Sequence, residues 1–509
     1  MALANFFDKV SFGASQILQG FDRTQFENLL LDQKIMIFYD TNAVESFEGK
    51  ATLDMLVRLL SRLYPNLLIH NCDNNDLISE LEDLASSINP NINLSKSEKP
   101  TSCIIVGNSI CKFDVPVFYV GSDNWITKFS RKRPVGSSNT SNPFAAGAAA
   151  CFGAANIFRK VFHEQLPYSK NDDDFSISIL DFSTTSDAFN PIIGSLKIKE
   201  TVLVGLGAIG NGVLWAMGRL PAISGKLTLI DNEEIEISNL QRYVLADQIS
   251  IGNNKVGLGK TFLDKTGLDI TVDPITWQEY IIKRSTWDIE TIAVCVDNKP
   301  DRISVQGALP KNIFNAWTQQ ENIGVSRHTD FINSPCLCCL YFPIIEEKSI
   351  SQEIADSLNL SEPEFERIVR DYLANSKPVD QALLSLIVEK NNLVLDELDF
   401  TLGKSIEIFY SEVICGGILM KLKQSQGESL NTKIEVPSVF ESAFAGILLA
   451  AEIVNNAEQF RKDLLPTTTR FNLMRVLTPY LNFEEHKKER CICNDAVFQK
   501  SFNKQWIKQ

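Results

Sequence analysis

The chain has 509 residues, 44% hydrophobic and 22% charged, with a formal net charge of −14. That length suits roughly two to four buried cores, the acidic field argues against nucleic acid as the main partner, and no apolar run approaches the ~18 residues of a membrane span. Eleven cysteines, an odd number, and a start without a secretory h-region predict reduced thiols in a cytoplasmic protein rather than a disulfide framework.

Taken in chain order, residues 34–40 (KIMIFYD) predict a strand, 51–64 a helix, 67–71 a second strand, and 102–107 and 115–120 short buried strands. Lys128, Arg131, Lys132 and Arg133 form the one dense basic cluster, too short for a nucleic-acid face. The polar run 134–142 reads as a loop and 143–162, rich in small residues and opened by Pro143, as a helix. Residues 169–191 are polar and aspartate-rich, which suits a linker. The order then repeats: strand 200–204 into a glycine loop, helix 211–219, strands 226–231 and 291–297, and a closing helix over 437–454, again opened by proline. Residues 346–399 have helical periodicity with acidic faces and interrupt this second unit.

This is an α/β pattern with a weak internal duplication, a degenerate half followed by an intact one. The expected domains are 1–168 as an inactive half, 169–199 as a linker or peripheral segment, 200–345 with 401–509 as the active half, and 346–400 as a helical insertion. The first half has Asp40-Thr-Asn-Ala-Val-Glu-Ser where glycines would follow its first strand, so it should not cradle a phosphate.

The sharpest local signal is Gly205-Leu-Gly207-Ala-Ile-Gly210 after a strand. Glycines at this spacing let the backbone turn tightly and present N–H groups to phosphate at the start of a helix. Asp231 closes the next strand, twenty-one residues after Gly210, where a carboxylate can take a ribose hydroxyl. A dinucleotide and ATP both fit this much. The polar set that follows decides between them: Ser238-Asn239-Leu-Gln-Arg242, then Lys255, then Asp297-Asn298 with Arg302. Attack of a carboxylate on the α-phosphorus of ATP needs charge neutralised on the phosphate oxygens and the leaving pyrophosphate. Arg242 and Lys255 supply positive charge, Asn239 can hold an oxygen, and Asp297 can hold Mg²⁺.

Over residues 201–302 the chain resembles the ThiF/MoeB and ubiquitin-activating enzyme superfamily, which implies a Rossmann-like ThiF fold and adenylation of a carrier protein's C-terminal carboxylate. The resemblance implies that Gly205, Gly207, Gly210, Asp231, Asn239, Arg242, Lys255, Asp297 and Asn298 bind MgATP. It departs at Tyr243, where the family has glutamine. It also implies an arginine supplied by one half to the other, for which Arg23 is the candidate. The two halves with an inserted domain most resemble the activating enzyme of a bacterial ubiquitin-like conjugation operon of the antiviral defence kind. That arrangement would be an internal pseudo-dimer and leaves a homodimer open.

Cys336-Leu-Cys338-Cys339 and Cys491-Ile-Cys493 offer thiolates in the two-plus-two arrangement of a structural zinc. Cys336, Cys339, Cys491 and Cys493 are the expected ligands, with Cys338 a bystander; the second pair is one residue tighter than the family's usual spacing. Cys72, Cys103, Cys111, Cys151 and Cys295 read as packing residues in strands or the small-residue helix. Cys415, followed by Gly416 and Gly417, is the candidate thioester nucleophile. The partners expected are a ubiquitin-like carrier and a conjugating enzyme, with no nucleic acid and no membrane. Adenylation alone, with sulfur delivered from elsewhere, and a non-catalytic nucleotide-binding scaffold are the other readings.

Overall fold

Two sheets, of six and nine strands, repeat one strand order. The computed structural model describes residues 3–71, 77–94, 99–111, 113–185, 188–319, 322–342, 349–391, 393, 398–415 and 438–507. The first sheet comprises β1 (Ile35–Tyr39), β2 (Leu67–Asn71), β3 (Ser102–Val106), β4 (Val117–Asp123), β5 (Ile126–Ser130) and β6 (Phe175–Ser178), in the order β2-β1-β3-β4-β5-β6. β1 to β4 run parallel; β4–β5 and β5–β6 are antiparallel. The second comprises β7 (Leu196–Lys197), β8 (Thr201–Val204), β9 (Ile223–Ile230), β10 (Gly267–Asp273), β11 (Thr291–Val294), β12 (Asn312–Thr318), β13 (Ile323–His328), β14 (Thr468–Phe471) and β15 (Asn482–Phe483). Its order is β10-β9-β8-β11-β12-β13-β14-β15, with β7 beside β9. The stretch β9-β8-β11-β12 is parallel and β12–β13 and β13–β14 are antiparallel, matching the first sheet strand for strand.

The closing helices match as well. Phe144–Val161 lies between β5 and β6, and Val439–Glu458 between β13 and β14. The duplication expected from the sequence is therefore present in topology. Strands β8 and β11 are buried at every position, as expected of parallel strands covered on both faces.

Small residues in the closing helices serve backbone approach. A Cβ on Gly446 would fall 2.2 Å from the Ile209 carbonyl oxygen, and one on Gly212 2.7 Å from that of Ala443. The helices Ala208–Met217 and Val439–Glu458 thus touch backbone to backbone. Phe152–Phe444 and Phe158–Phe440 ring pairs, 5.4 and 5.8 Å apart, join the two closing helices. Val439–Glu458 is long and apolar enough to cross a membrane, but 89% of its most apolar window is buried inside the protein.

The segment expected as a linker is built into the first sheet. It supplies edge strand β6, and Asp172 makes a fully buried ion pair with Arg159 of the Phe144–Val161 helix. Composition misled here because a buried aspartate reads as surface polarity until its arginine is known. Cys111 likewise lies in a loop rather than a strand, half-buried against the cluster of Phe38, Cys103, Ile105 and Tyr119.

The larger of two compact units holds both sheets, in Met1–Asn5, Glu27–Phe342 and Pro437–Gln509. The smaller comprises Phe6–Phe26 and Pro343–Val436. Its helices Ile350–Ser357, Pro363–Ala374 and Gln381–Asn391 bury Ile354, Leu358, Val369, Leu383, Leu384 and Ile387 in a core of their own. Ser349 caps the first of these helices reciprocally with Gln352, and Pro363 opens the second.

Candidate active site and candidate metal centre

In the second sheet the chain leaves β8, fills β9 and β10 on one side, then crosses to β11 on the other. The carboxyl ends of β8 and β11 therefore flank the switch point where open α/β sheets bind ligands. Register aligns Val204 with Ile230 and Val294, so Gly205, Asp231 and Cys295 stand side by side at this edge. Gly205 has φ +89°, and a Cβ there would lie 3.0 Å from the Cys295–Val296 peptide. Gly210 closes the turn, since its Cβ would fall 2.5 Å from the Gly205 oxygen. Gly207 caps the Ala208–Met217 helix without a side-chain bond and so leaves the helix N-terminus open to an anion.

Asp231 accepts the Leu206 N–H at 2.6 Å and the Glu233 N–H at 2.9 Å. Burial raises its pKa, opposed by Lys255 and those two N–H groups. It holds the glycine loop, and each oxygen keeps a second lone pair for a hydroxyl. Lys255, 5% exposed, begins the Lys255–Leu263 helix and pairs with Glu233. Burial works against its charge, but Tyr243, Asp231 and Glu233 outweigh it and raise its pKa. Its Nζ lies 5.2 Å from the centre of the Tyr243 ring. The Tyr243 hydroxyl in turn lies 3.4 Å from where a Gly207 Cβ would stand. Glycine loop, Asp231, Tyr243 and Lys255 are one contact group.

Asn239 sits in the 3₁₀ turn Ile237–Gln241 and accepts the Glu236 N–H through Oδ1 at 2.9 Å. Arg242 ends that turn half-exposed, its guanidinium without a partner among the described residues. Asp297, beyond the end of β11, is exposed and also without a partner among them. A half-exposed guanidinium, a buried ammonium and an exposed carboxylate are groups that suit a polyphosphate with a divalent cation. Asn298 is committed elsewhere: it accepts the Asp301 N–H at 2.8 Å and donates to the Asp301 carboxylate at 2.7 Å, capping the Lys299–Gly307 helix. Arg302 is buried and donates to Asn315, to the Ala316 oxygen at 2.9 Å and to the Val296 oxygen, bracing the strand ends.

In the first half, Asp40 follows β1 as Gly205 follows β8. Its carboxylate accepts the Asn108 N–H at 2.7 Å and that of Ala43 at 3.3 Å. A fixed anion occupies the place of the glycine loop, which excludes phosphate.

The candidate metal centre joins Cys336, Cys339, Cys491 and Cys493, whose sulfurs all lie within 4.8 Å of one another. Cys336–Cys491 and Cys339–Cys493 are 3.5 and 3.4 Å apart. A tetrahedral zinc with bonds of about 2.3 Å spaces its sulfurs about 3.8 Å apart, so four buried thiols here fit that ion. The Lys488 N–H points at the Cys339 sulfur at 3.4 Å, and Lys487 reaches the Cys493 carbonyl at 3.1 Å. Cys338 lies outside the group, its sulfur against the Ile303 carbonyl.

Cys415 ends the π-helical turn Tyr410–Cys415; its side chain, Gly416, Gly417 and Cys72 lie outside the described residues. Arg23 opens the Arg23–Asp32 helix in the smaller unit and pairs with Asp8 at 2.5 Å. Glu233, Asn211 and the first-half arginines described below carry no motif and escaped the sequence reading.

Residues 190–493 match the ThiF family. The chain belongs to it. The chain is 40% identical over 514 residues to "Uncharacterized protein y4jF" of Sinorhizobium fredii, covering 99% of this chain and 98% of that one. Beside the ThiF match, residues 38–163 match prokaryotic E2 family C. The "Adenylyltransferase and sulfurtransferase UBA4" of Kluyveromyces lactis is 26% identical over 162 residues, 30% of this ThiF chain and 36% of that protein. MOCS3 of Aedes aegypti, described in the same words, is 25% identical over 154 residues, 29% of this chain and 35% of that one. This chain thus spans about a third of those two relatives. The crystal structure of E. coli MccB with ATP covers 58% of this chain and 65% of its own at 15% identity, with a TM-score of 0.34.

Proposed function

We propose that this ThiF-family chain uses ATP to adenylate the C-terminal carboxylate of a ubiquitin-like carrier protein. The carboxylate oxygen attacks the α-phosphorus, the bond to the bridging oxygen breaks, and pyrophosphate leaves with the electron pair. One observation carries the reading: the glycine loop, Asp231 and Asp297 follow the carboxyl ends of neighbouring strands β8, β9 and β11, with Lys255 beside Asp231 and Tyr243, and Arg242 next to Tyr243 in the chain. The loop N–H groups and the helix start would take phosphate oxygens, and Asp231 a ribose hydroxyl. Arg242 and Lys255 would offset the charge that develops on pyrophosphate, with Asn239 holding an oxygen beside them. Asp297 would hold Mg²⁺, which supplies charge neutralisation between the phosphates. Asn298 would act only through the helix it caps. The four-cysteine centre would be structural zinc, remote in role from the chemistry.

In the fuller reading the Cys415 thiolate displaces AMP from the acyl-adenylate to give a thioester, which a conjugating enzyme's cysteine then accepts. The match of residues 38–163 to prokaryotic E2 family C supports a conjugation setting. The similarity to two proteins described as adenylyltransferase and sulfurtransferase favours a second reading, which stops at adenylation. Carrier-dependent ATP–pyrophosphate exchange, run for wild type, Asp297→Ala and Cys415→Ala and followed by a non-reducing gel, separates them. Exchange lost in Asp297→Ala by at least about a hundredfold, with a reducible adduct lost only in Cys415→Ala, supports the fuller reading. Exchange without adduct retires Cys415, and no exchange with any carrier retires both.

A further inference from the structure

The segment carrying Arg242 and Tyr243 is held by the half of the molecule that has no nucleotide loop. Arg62, just past the Phe47–Leu60 helix, is 2% exposed and donates through one nitrogen to the carbonyls of Tyr243 and Ala246, both at 2.6 Å. Arg58, on that helix, donates to the Val244 carbonyl between them at 2.9 Å. These carbonyls belong to no sheet ladder. The Tyr243 carbonyl also accepts the Ala246 N–H at 3.0 Å, but those of Val244 and Ala246 take no backbone N–H among the described residues; left unpaired in the interior each would cost more than an ordinary hydrogen bond is worth, so the arginines define where the segment runs. From the other side Asn211, also 2% exposed, accepts the Leu245 N–H at 3.1 Å. The same Asn211 amide donates to the carbonyls of Leu206 and Gly207, at 2.9 and 3.0 Å.

We propose that Arg58 and Arg62 are positioning residues for the nucleotide site of the other half. The path is short and every step is a contact. The two guanidiniums fix the backbone of 243–246, Asn211 ties that backbone to the glycine loop, and the Tyr243 ring then spans from Gly207 to Lys255. Tyr243 thereby sets Lys255 against the loop. The retained first half is thus a structural clamp on the second half's phosphate site. A lysine cannot replace either arginine, because one ammonium on a flexible stem does not reproduce a fixed planar fork.

This inference rests on the proposal that the site binds ATP, and the test separates the two. Binding of MgATP and of its α,β-methylene analogue is measured by calorimetry for wild type, Arg62→Lys, Arg58→Lys and Arg219→Lys. Hydrogen exchange over 236–246 is followed in the same proteins without nucleotide. Arg219 is the control, since it joins the same buried network through Asp54 but bonds none of these carbonyls. The expected result is a Kd raised about tenfold or more in Arg62→Lys, less in Arg58→Lys, with faster exchange at 243–246. Arg219→Lys should leave both readings near wild type, and melting temperatures report whether each variant folds. Unchanged affinity in a folded Arg62→Lys, or equal loss in Arg219→Lys, overturns the positioning role. Should Arg62→Lys not fold, Arg58→Lys decides by the same criteria. A wild type that binds no ATP overturns the adenylation proposal itself, whatever the variants do.

Discussion

Glu441 is a buried carboxylate and Asp54 a half-buried one, and their surroundings push them in opposite directions. Glu441, the third residue of the Val439–Glu458 helix, is 6% exposed and accepts only the Ser438 cap, so burial pushes its pKa up to about 7. Its folded pKa lies above the ordinary 4.5, so the folded state binds the extra proton. Its contribution is fully favourable below about 4.5 and is lost as pH rises to about 7. Glu441→Gln keeps the capping geometry and should stabilise the protein by about 1–3 kcal/mol at pH 8 but hardly at pH 4, as urea titrations at the two pH values would show. At Asp54, burial is outweighed by Arg219 and Arg58, which hold the carboxyl at about 2. Its stabilisation is present above the ordinary 3.8 and is lost as pH falls through about 2. Asp54→Asn should therefore cost about 3–5 kcal/mol at pH 7, with the difference from wild type shrinking between pH 4 and 2.

At the scale of elements, the glycines of one helix pair carry the strain of close approach. Gly446→Ala would put a carbon 2.2 Å from the Ile209 oxygen and 2.7 Å from the Gly212 Cα. Both neighbours are backbone, so the helices must part, at a cost of about 1–3 kcal/mol or more. The Ala208–Met217 helix begins at the glycine loop, so ATP binding should weaken along with the melting temperature. Gly307→Ala, with nothing within 4 Å of the added carbon, is the neutral control for the same melts. Strands β1–β4, β8, β9 and β11 and the glycine loop were legible from β-branched runs and turn residues, whereas β5, β7, β10 and β12–β15 were not read. The 169–199 segment was not, because the Arg159–Asp172 pair and the pairing of β6 join residues that only the fold brings together. At the site, Asp231, Arg242, Lys255 and Asp297 were readable by order and spacing. The helix-capping role of Asn298 was not read from the sequence, although an asparagine before a helix commonly serves the helix.

At the scale of the molecule, the cysteine centre staples the C-terminal segment to the second sheet's domain. The helix Ala496–Trp506 packs Phe502 on Phe331, ring centres 5.0 Å apart, and Trp506 donates to the Leu309 carbonyl at 2.8 Å. Cys493→Ser should lose the bound metal, assayed as about one zinc per chain by atomic absorption, and cost several kcal/mol of stability. Limited proteolysis should then cut first near residues 484–495, while the first sheet stays protected. Retention of zinc in this variant, or an unchanged digest, would contradict the assignment.

By itself the sequence determined the α/β class, the duplication, the intact and degenerate halves and the order of the candidate site residues. Those are local matters: periodicity, turn chemistry and the spacing that one strand–loop–helix unit imposes. Only the tertiary structure decided that Tyr243 bridges Gly207 and Lys255, that Asp40 fills the first half's loop, and that Arg58 and Arg62 reach the 243–246 carbonyls. These contacts join residues up to 186 positions apart, and an arginine's carbonyl partner leaves no mark on either segment's own pattern.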